Sequence, residues 1–444
     1  MALLLKDVHR VVTMDKQRRI LKNASILIDN GVIVAVGPHS ELLKTSKADE
    51  VIDGRGLVAI PGLIDVHGHS TQSALRGVFD EVPLMPWLTM MAGAENRMNE
   101  ELRKVGIQLS FLEKLHSGVT TSVDMEVSVD LVAAVAPPMG TRLVLAGILA
   151  DTEELPYSGL GRTSSVEIEV KRGKTWYEKY NGKFDGRVTC WFGPVGFPAS
   201  SPELLKASAA EARRVGTRLH THAAEGWVTP ELCKRKHGMR EVELLEEVGF
   251  LGPDVLLAHC VQLSKKEVYL ISKYRSAVAH CPSSNSKLGH GVTPVVQMLW
   301  HKVPVGIGTD GAASNNSQDM FVEMKMAAML QKAVLRNATV MPARTVLELA
   351  TIRGAEAIGM QDQIGSIDLG KRADIALIDW RKPHMIPTDM IESHLVYNSS
   401  GRDVVTVTVD GKIVVRDRQF VGMDEEAFLE RAESRIAEFI QASN

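Results

Sequence analysis

The sequence predicts an α/β chain, a (β/α)8 barrel with a small composite β-sandwich built from its N- and C-terminal segments. Three observations predict it. Between residues 59 and 308, eight short apolar runs alternate with amphipathic helical stretches. Both chain ends carry strand patterns, and the first 58 residues carry no long helical pattern. Histidines and acids collect at the C-terminal ends of the apolar runs, the side on which barrels place their chemistry. An open doubly wound sheet would also alternate strand with helix, but the count of eight and the polar strand ends favour the barrel.

Taken in order, residues 1–58 read as short strands. Ala24–Ile28 and Val32–Val36 flank Asp29-Asn30-Gly31, a hairpin-turn composition. The barrel is expected over 59–365. Its strands are predicted at Val58–Val66, Gly118–Val123, Arg142–Leu149, Val188–Phe192, Thr217–His222, Val255–His259, Ser276–His280 and Val305–Gly308. Helices are expected after Asn99, where Leu102, Val105, Leu109 and Leu112 hold helical spacing, and at Pro202–Val215, Arg240–Val248 and Lys265–Tyr274. Two more follow, at Asp319–Leu335 and Ala343–Ile358. Residues 366–444 return to β character at Ala373–Asp379 and Val404–Val409, meet Asp410-Gly411 before Lys412–Val415, and close with a helix over 424–442. Neither terminal set can bury an apolar face alone, so the two are paired as one sandwich.

The bulk numbers exclude several classes. A formal net charge of -3 gives no footprint for nucleic acid. No apolar run approaches membrane-spanning length, and Met1–Leu5 is too short for a signal-peptide core. Cys190, Cys233, Cys260 and Cys281 are scattered without a CxxC, which suits buried free thiols and a reducing cytoplasm. The basic stretch Cys233–Arg240 is expected in a loop after the fifth strand, as a solvated run.

The strand ends carry the chemistry. Strand one ends in His67-Gly68-His69, and residues two apart on a strand share a face. Strand five ends in His220-Thr221-His222-Ala223-Ala224-Glu225, strand six in His259, strand seven in His280, and strand eight in Gly308-Thr309-Asp310. Three histidines and one aspartate offer N and O ligands to a divalent cation. Such an ion lowers the pKa of water towards neutrality, and a neighbouring carboxylate can take the proton. Spacing alone does not choose between His220 and His222.

This pattern resembles the amidohydrolase superfamily, in its branch of aminohydrolases and chlorohydrolases acting on heterocyclic rings. The likeness runs through Pro61–His69, Leu75-Arg76-Gly77, the HxxE of His222 and Glu225, Ala258-His259-Cys260, Ser284–Gly289, Gly308–Asn316 and Gly365–Ile367 with Gly370–Asp374. The resemblance implies a barrel with a composite sandwich and a hydrolytic deaminase of an amino-substituted purine, pyrimidine or triazine. The alternatives are an adenosine-type nucleoside deaminase or a chlorohydrolase. It implies one divalent metal on His67, His69, His222 and Asp310, zinc by preference and iron as the alternative. Glu225 would then shuttle a proton to the ring, and His259 would orient water. The fourth strand, Val188–Pro194, has no lysine for a binuclear site. By analogy with related barrels, a homo-oligomer is expected.

The resemblance also places a small heterocycle among Gln72, Trp87, Val195 and Asn285. Met85, Val195 and Ala146 stand where S-adenosylhomocysteine deaminases carry polar contacts to ribose and the amino-acid tail. Arg162 is a partial match for a tail arginine. Uncompensated hydroxyls cost about 1–3 kcal/mol each. Free heterocycles are therefore expected to be better substrates than nucleosides.

Overall fold

The computed structural model of this chain describes residues 2–42, 48–152 and 164–443. Eight parallel strands stand in sequence order: Leu63–Gly68, Val119–Glu126, Arg142–Leu149, Val188–Pro194, Leu219–Ala223, Val255–His259, Ala277–His280 and Val305–Ile307. They form the expected barrel. Its interior is filled by Ile64, Val66, Val123, Met125, Val144, Ala146, Leu256, Ala258 and Ala279, while the amphipathic helices cover the outside.

Glycine makes the seam between the last and first strands. A Cβ at Gly306 would lie 2.7 Å from a Val66 methyl, and one at Gly308 would lie 2.9 Å from the Cβ of His67. Only a bare backbone allows that approach. Asp65 ties the same seam. Its carboxylate accepts from the Thr309 amide (2.9 Å) and hydroxyl (2.8 Å) and pairs with Lys114 Nζ (2.8 Å).

Nine strands form a second, mixed sheet from both chain ends. Its join is antiparallel pairing of Leu57–Pro61 with Ile375–Asp379, in register from Leu57↔Asp379 to Pro61↔Ile375. The apolar run over 58–66, expected as one strand, is therefore two. The first half belongs to the terminal sheet. The chain breaks at Gly62, where a Cβ would fall 2.1 Å from Thr120 Oγ1, and the barrel strand starts at Leu63. A second correction concerns 343–358, which is two helices, Ala343–Leu349 and Ile352–Ala357. Between them the carbonyl of Ala350 accepts from the amide of Ile64 (2.9 Å), a bond a continuous helix would not offer. The basic stretch is also corrected, because most of it lies in a helix, Val228–His237. The closing helix runs Glu425–Ser443. No helix among the described residues is long and apolar enough to cross a membrane.

Candidate active site

The first strand carries a bulge. Its ladder with the second strand runs Asp65↔Ser122 and then Gly68↔Asp124, three residues against two. Bulges re-aim side chains. Ile64 and Val66 pack into the interior cluster, yet His67 and His69 also reach the barrel axis, where their rings meet at 4.9 Å. His67 lies within 5.2 Å, ring centre to ring centre, of His220, His222 and His259. Five imidazoles from three strand ends therefore meet in one place.

Hydrogen bonds fix which nitrogen of each ring is free. A carbonyl only accepts, so a ring nitrogen bonded to one must carry the proton. His69 Nδ1 donates to the Met125 carbonyl (2.6 Å) and His222 Nδ1 to that of Val195 (2.8 Å). His220 Nδ1 donates to the Leu256 carbonyl (3.0 Å), so its Nε2 is an acceptor. That acceptor lies 2.8 Å from His67 Nδ1. His259 Nδ1 donates to Asn285 Oδ1 (3.0 Å). His67, His69, His222 and His259 are all left with a bare Nε2. Burial holds His67 and His222 well below the usual imidazole range and lowers His259, which keeps them neutral.

Asp310 completes the group. Its Oδ1 lies 3.5 Å from His67 Nε2 and 3.6 Å from His69 Nε2. Ser284 Oγ donates to its other oxygen (2.6 Å) and the Gly311 amide to Oδ1 (2.8 Å). Burial works against the carboxylate, but the neighbouring imidazoles, His67 first, hold Asp310 well below its ordinary range. One donor atom from each of His67, His69 and Asp310 lies within 4.8 Å of the others, as does one from each of His67, His222 and His259. Buried, neutral, lone-pair nitrogens beside an ionised carboxylate are what a divalent cation requires, and His67 Nε2 meets no hydrogen-bond partner among the described residues. The residues fit a metal.

Asp310 (φ 62°) and His259 (φ 69°) both hold left-handed backbone conformations, a strain that concentrates at functional sites. Glu225 stands 3.8 Å from His259 Nε2 and 3.6 Å from His290 Nδ1. Burial pushes its carboxyl up to about 7, with His290 pulling the other way. It can therefore exchange a proton near neutrality.

These groups open into a cleft of about 670 Å³, mouth included. Gln72 and Trp87 line it. Val195 and Asn285 do not. Val195 lines a small adjoining cavity and lends its carbonyl to His222. Asn285 is 1% exposed, its amide divided between His259 and Thr293 Oγ1. Neither Met85 nor Ala146 is among the wall residues; both pack in the apolar cluster beside it. His280 is buried, and burial lowers its ring to about 3. Arg162 lies outside the described residues.

Sequence reasoning missed Glu126 and Glu95, which both line the cleft. Glu126 ends the second strand, which was expected to stop at Val123. Glu95 shares a helix face with Leu84, Trp87, Leu88 and Met91, and that spacing was a usable signal.

Residues 58–414 match the model of the amidohydrolase family. The 5'-deoxyadenosine deaminase of Methanosarcina acetivorans is 37% identical over 443 residues, covering 100% of this chain and 99% of that protein. The 5-methylthioadenosine/S-adenosylhomocysteine deaminase of Desulforudis audaxviator is 38% identical, over 94% of this chain and 95% of its own. Among solved structures, a zinc-bound adenosine deaminase from Xanthomonas campestris superposes with a TM-score of 0.93 at 28% identity, covering 99% and 98% of the two chains. A zinc-complexed atrazine chlorohydrolase from Arthrobacter aurescens gives 0.90 at 27%, covering 98% of this chain and all of that one.

Proposed function

The chain belongs to the amidohydrolase family, and from that premise we propose that it is a deaminase with a single zinc ion that hydrolyses the exocyclic C–N bond of an amino-substituted N-heterocycle and releases ammonia or an amine. The observation that carries the reading is the hydrogen-bond pattern of the imidazoles. Each of four rings has its Nδ1 committed, leaving a bare Nε2 beside Asp310 and Glu225 in one cleft.

In this reading His67, His69, His222 and Asp310 hold the ion. When bound, it supplies Lewis acidity that brings the ionisation of water into the neutral range. The protein's own groups do the rest. His259, held by Asn285, orients the attacking water through Nε2. Asp310, ionised and adjacent, accepts its proton. Glu225, with a carboxyl near neutrality, carries a proton to the ring nitrogen, which makes the ring carbon more electrophilic, and the proton taken by Asp310 passes to the departing amine. Trp87 offers an aromatic face to a planar ring, and Gln72 a polar edge.

The relatives named as 5'-deoxyadenosine and methylthioadenosine deaminases favour an adenine nucleoside. Met85, Ala146 and Val195, expected to leave ribose hydroxyls unpaired, stand outside the cleft wall. Four cysteines, all free and buried, support a reducing cytoplasm; a homo-oligomer is part of the same reading. The test is ammonia release across adenine nucleosides, free purines, pyrimidines and aminotriazines. Turnover of at least one group is expected, lost on chelation and restored by zinc. No ammonia from any of them would overturn the reading.

A further inference from the structure

The cleft has a second wall that the hydrolytic chemistry does not use. It carries two carboxylates, Glu95 at 7% exposure and Glu126 at 2%. Glu126 is anchored through one oxygen only. Its Oε1 accepts from the Thr71 amide (2.8 Å) and hydroxyl (2.7 Å), and no donor among the described residues reaches Oε2. The carboxylate of Glu95 meets no donor at all among them. Arg103 is nearby, but it donates to the carbonyls of Glu95 and Met98 and to Ser128 Oγ, and it forms no ion pair with either carboxylate.

The charge balance on this side is one-sided. Among the described residues no lysine or arginine lines the cleft. Behind the wall, Asp65 and Asp124 are both fully buried, and Lys114 is the one buried cation beside them, 2.8 Å from Asp65. Across the cleft, a divalent ion would answer Asp310 and Glu225. Among the described residues no cation answers Glu95 and Glu126. A second observation points to a ligand. Among the described residues the Nε1–H of Trp87, a residue 5% exposed, has no acceptor, and Oε1 of Gln72 has no donor. Both residues line the same cleft. The wall is a set of buried polar groups without partners among the described residues, which a ligand could supply.

We propose that Glu95 and Glu126 form a subsite for a cationic substituent of the substrate, an ammonium or amidinium carried on the amino-heterocycle. The inference rests on the deaminase reading for the remainder of the substrate. A hydroxyl would satisfy lone pairs but give the carboxyls no counter-charge in an apolar wall of Leu88, Met91 and Ile148. A cation answers both, and the ring of Trp87 adds an aromatic face that attracts it. Without a ligand, burial, with Asp124 and Glu95 adding to it, holds the Glu126 carboxyl well above its ordinary range, so the empty subsite keeps a proton there. An anionic substituent such as a phosphate would be excluded.

The test uses zinc-loaded full-length protein and two matched pairs. One is 5'-amino-5'-deoxyadenosine against 5'-deoxyadenosine. The other is a diaminotriazine with an aminoethyl arm against its propyl counterpart. Dissociation constants by calorimetry and kcat/KM by ammonia release are measured for wild type, Glu126→Gln and Glu95→Gln. Wild type should prefer the ammonium member of at least one pair by about 10- to 100-fold, the range of a buried charge-assisted hydrogen bond. Both variants should bring that pair near parity while still deaminating its neutral member. Parity in both pairs for wild type, or a preference that survives both substitutions, overturns the subsite. So does a wild type that discriminates adenosine from 2',3'-dideoxyadenosine through these glutamates but ignores the ammonium. Calorimetry reads the subsite without turnover, so absence of ammonia from every compound would count against the deaminase reading alone.

Discussion

The two ends of the barrel bury ionisable groups by opposite rules. At the N-terminal end, Arg142 opens the third strand with a side chain 3% exposed. It reaches Asp374 in the terminal sheet through two bonds of 3.1 and 3.2 Å and Asp410 through one of 2.6 Å. The Asp410 amide donates to Asp374 (2.8 Å), and Arg187 and Arg372 approach Asp410 at 3.9 and 3.7 Å. Every charge there has an answer inside the chain. At the C-terminal end, bare imidazole nitrogens, Asp310, Glu225, Glu95 and Glu126 face a cleft with few internal partners. A buried cluster that satisfies itself holds two sheets together. A buried cluster that does not is held ready for something that arrives.

Substitutions at the two ends should therefore fail differently. The largest effect is expected from Glu225→Gln, which keeps shape but removes the proton carrier, and from His259→Asn. Each should lower kcat by about 10²–10⁴-fold with metal content and thermal stability retained. Steady-state kinetics beside elemental analysis checks this, and a Glu225→Gln enzyme with normal kcat would remove its assigned role. Next is Arg142→Met at the opposite end. Leaving two buried carboxylates without their arginine should cost about 3–5 kcal/mol in denaturant unfolding, while the folded fraction keeps its kcat. A smaller effect belongs to His220, which reaches the proposed ion only through His67. His220→Leu should weaken zinc binding by about 10- to 100-fold. His220→Gln, which can still accept from His67 Nδ1, should recover part of it, an outcome that packing alone would not produce.

The smallest effect is a slope. Burial pushes the Glu241 carboxyl up to about 8, with Glu267 and Glu225 adding to it and the Ala224 amide opposing. Its pKa in the folded chain lies above that in the unfolded chain. Its contribution to stability is then full below the ordinary carboxylate range and is lost as pH rises to about 8. The Tm should fall over that interval, and Glu241→Gln should flatten the fall.

The same contrast explains what could be read from the sequence. Strand ends rich in histidine stand out because such residues are rare next to apolar runs, and His67, His69, His222, His259 and Asp310 do converge. Glu126 stayed hidden because the second strand continues three residues past its last β-branched position, so its end was placed too early. Glu95 continues the helix face of Leu84, Trp87, Leu88 and Met91, but a helical face does not say which cleft it covers. His220 and His222 share a strand face in any reading, and only the bond from His67 to His220 separates their parts. The split at Gly62 was invisible for a different reason. Ala59–Val66 is apolar apart from Asp65, and a run buried first in one sheet and then in another looks like one strand. Val195 and Asn285 were read as cleft contacts, but both support imidazoles from behind. Spacing locates such residues without saying which way they face.

The central claim is that the bare imidazole nitrogens and Asp310 hold one metal ion on which deamination depends. The direct measurement is a titration of chelator-treated protein with zinc, following bound metal and ammonia release together. The account predicts that activity rises in proportion to bound zinc and stops at one ion per chain, and that His69→Ala and Asp310→Ala abolish both signals. Ammonia release by protein shown to hold no metal, or a rise that continues to two ions per chain, would contradict it.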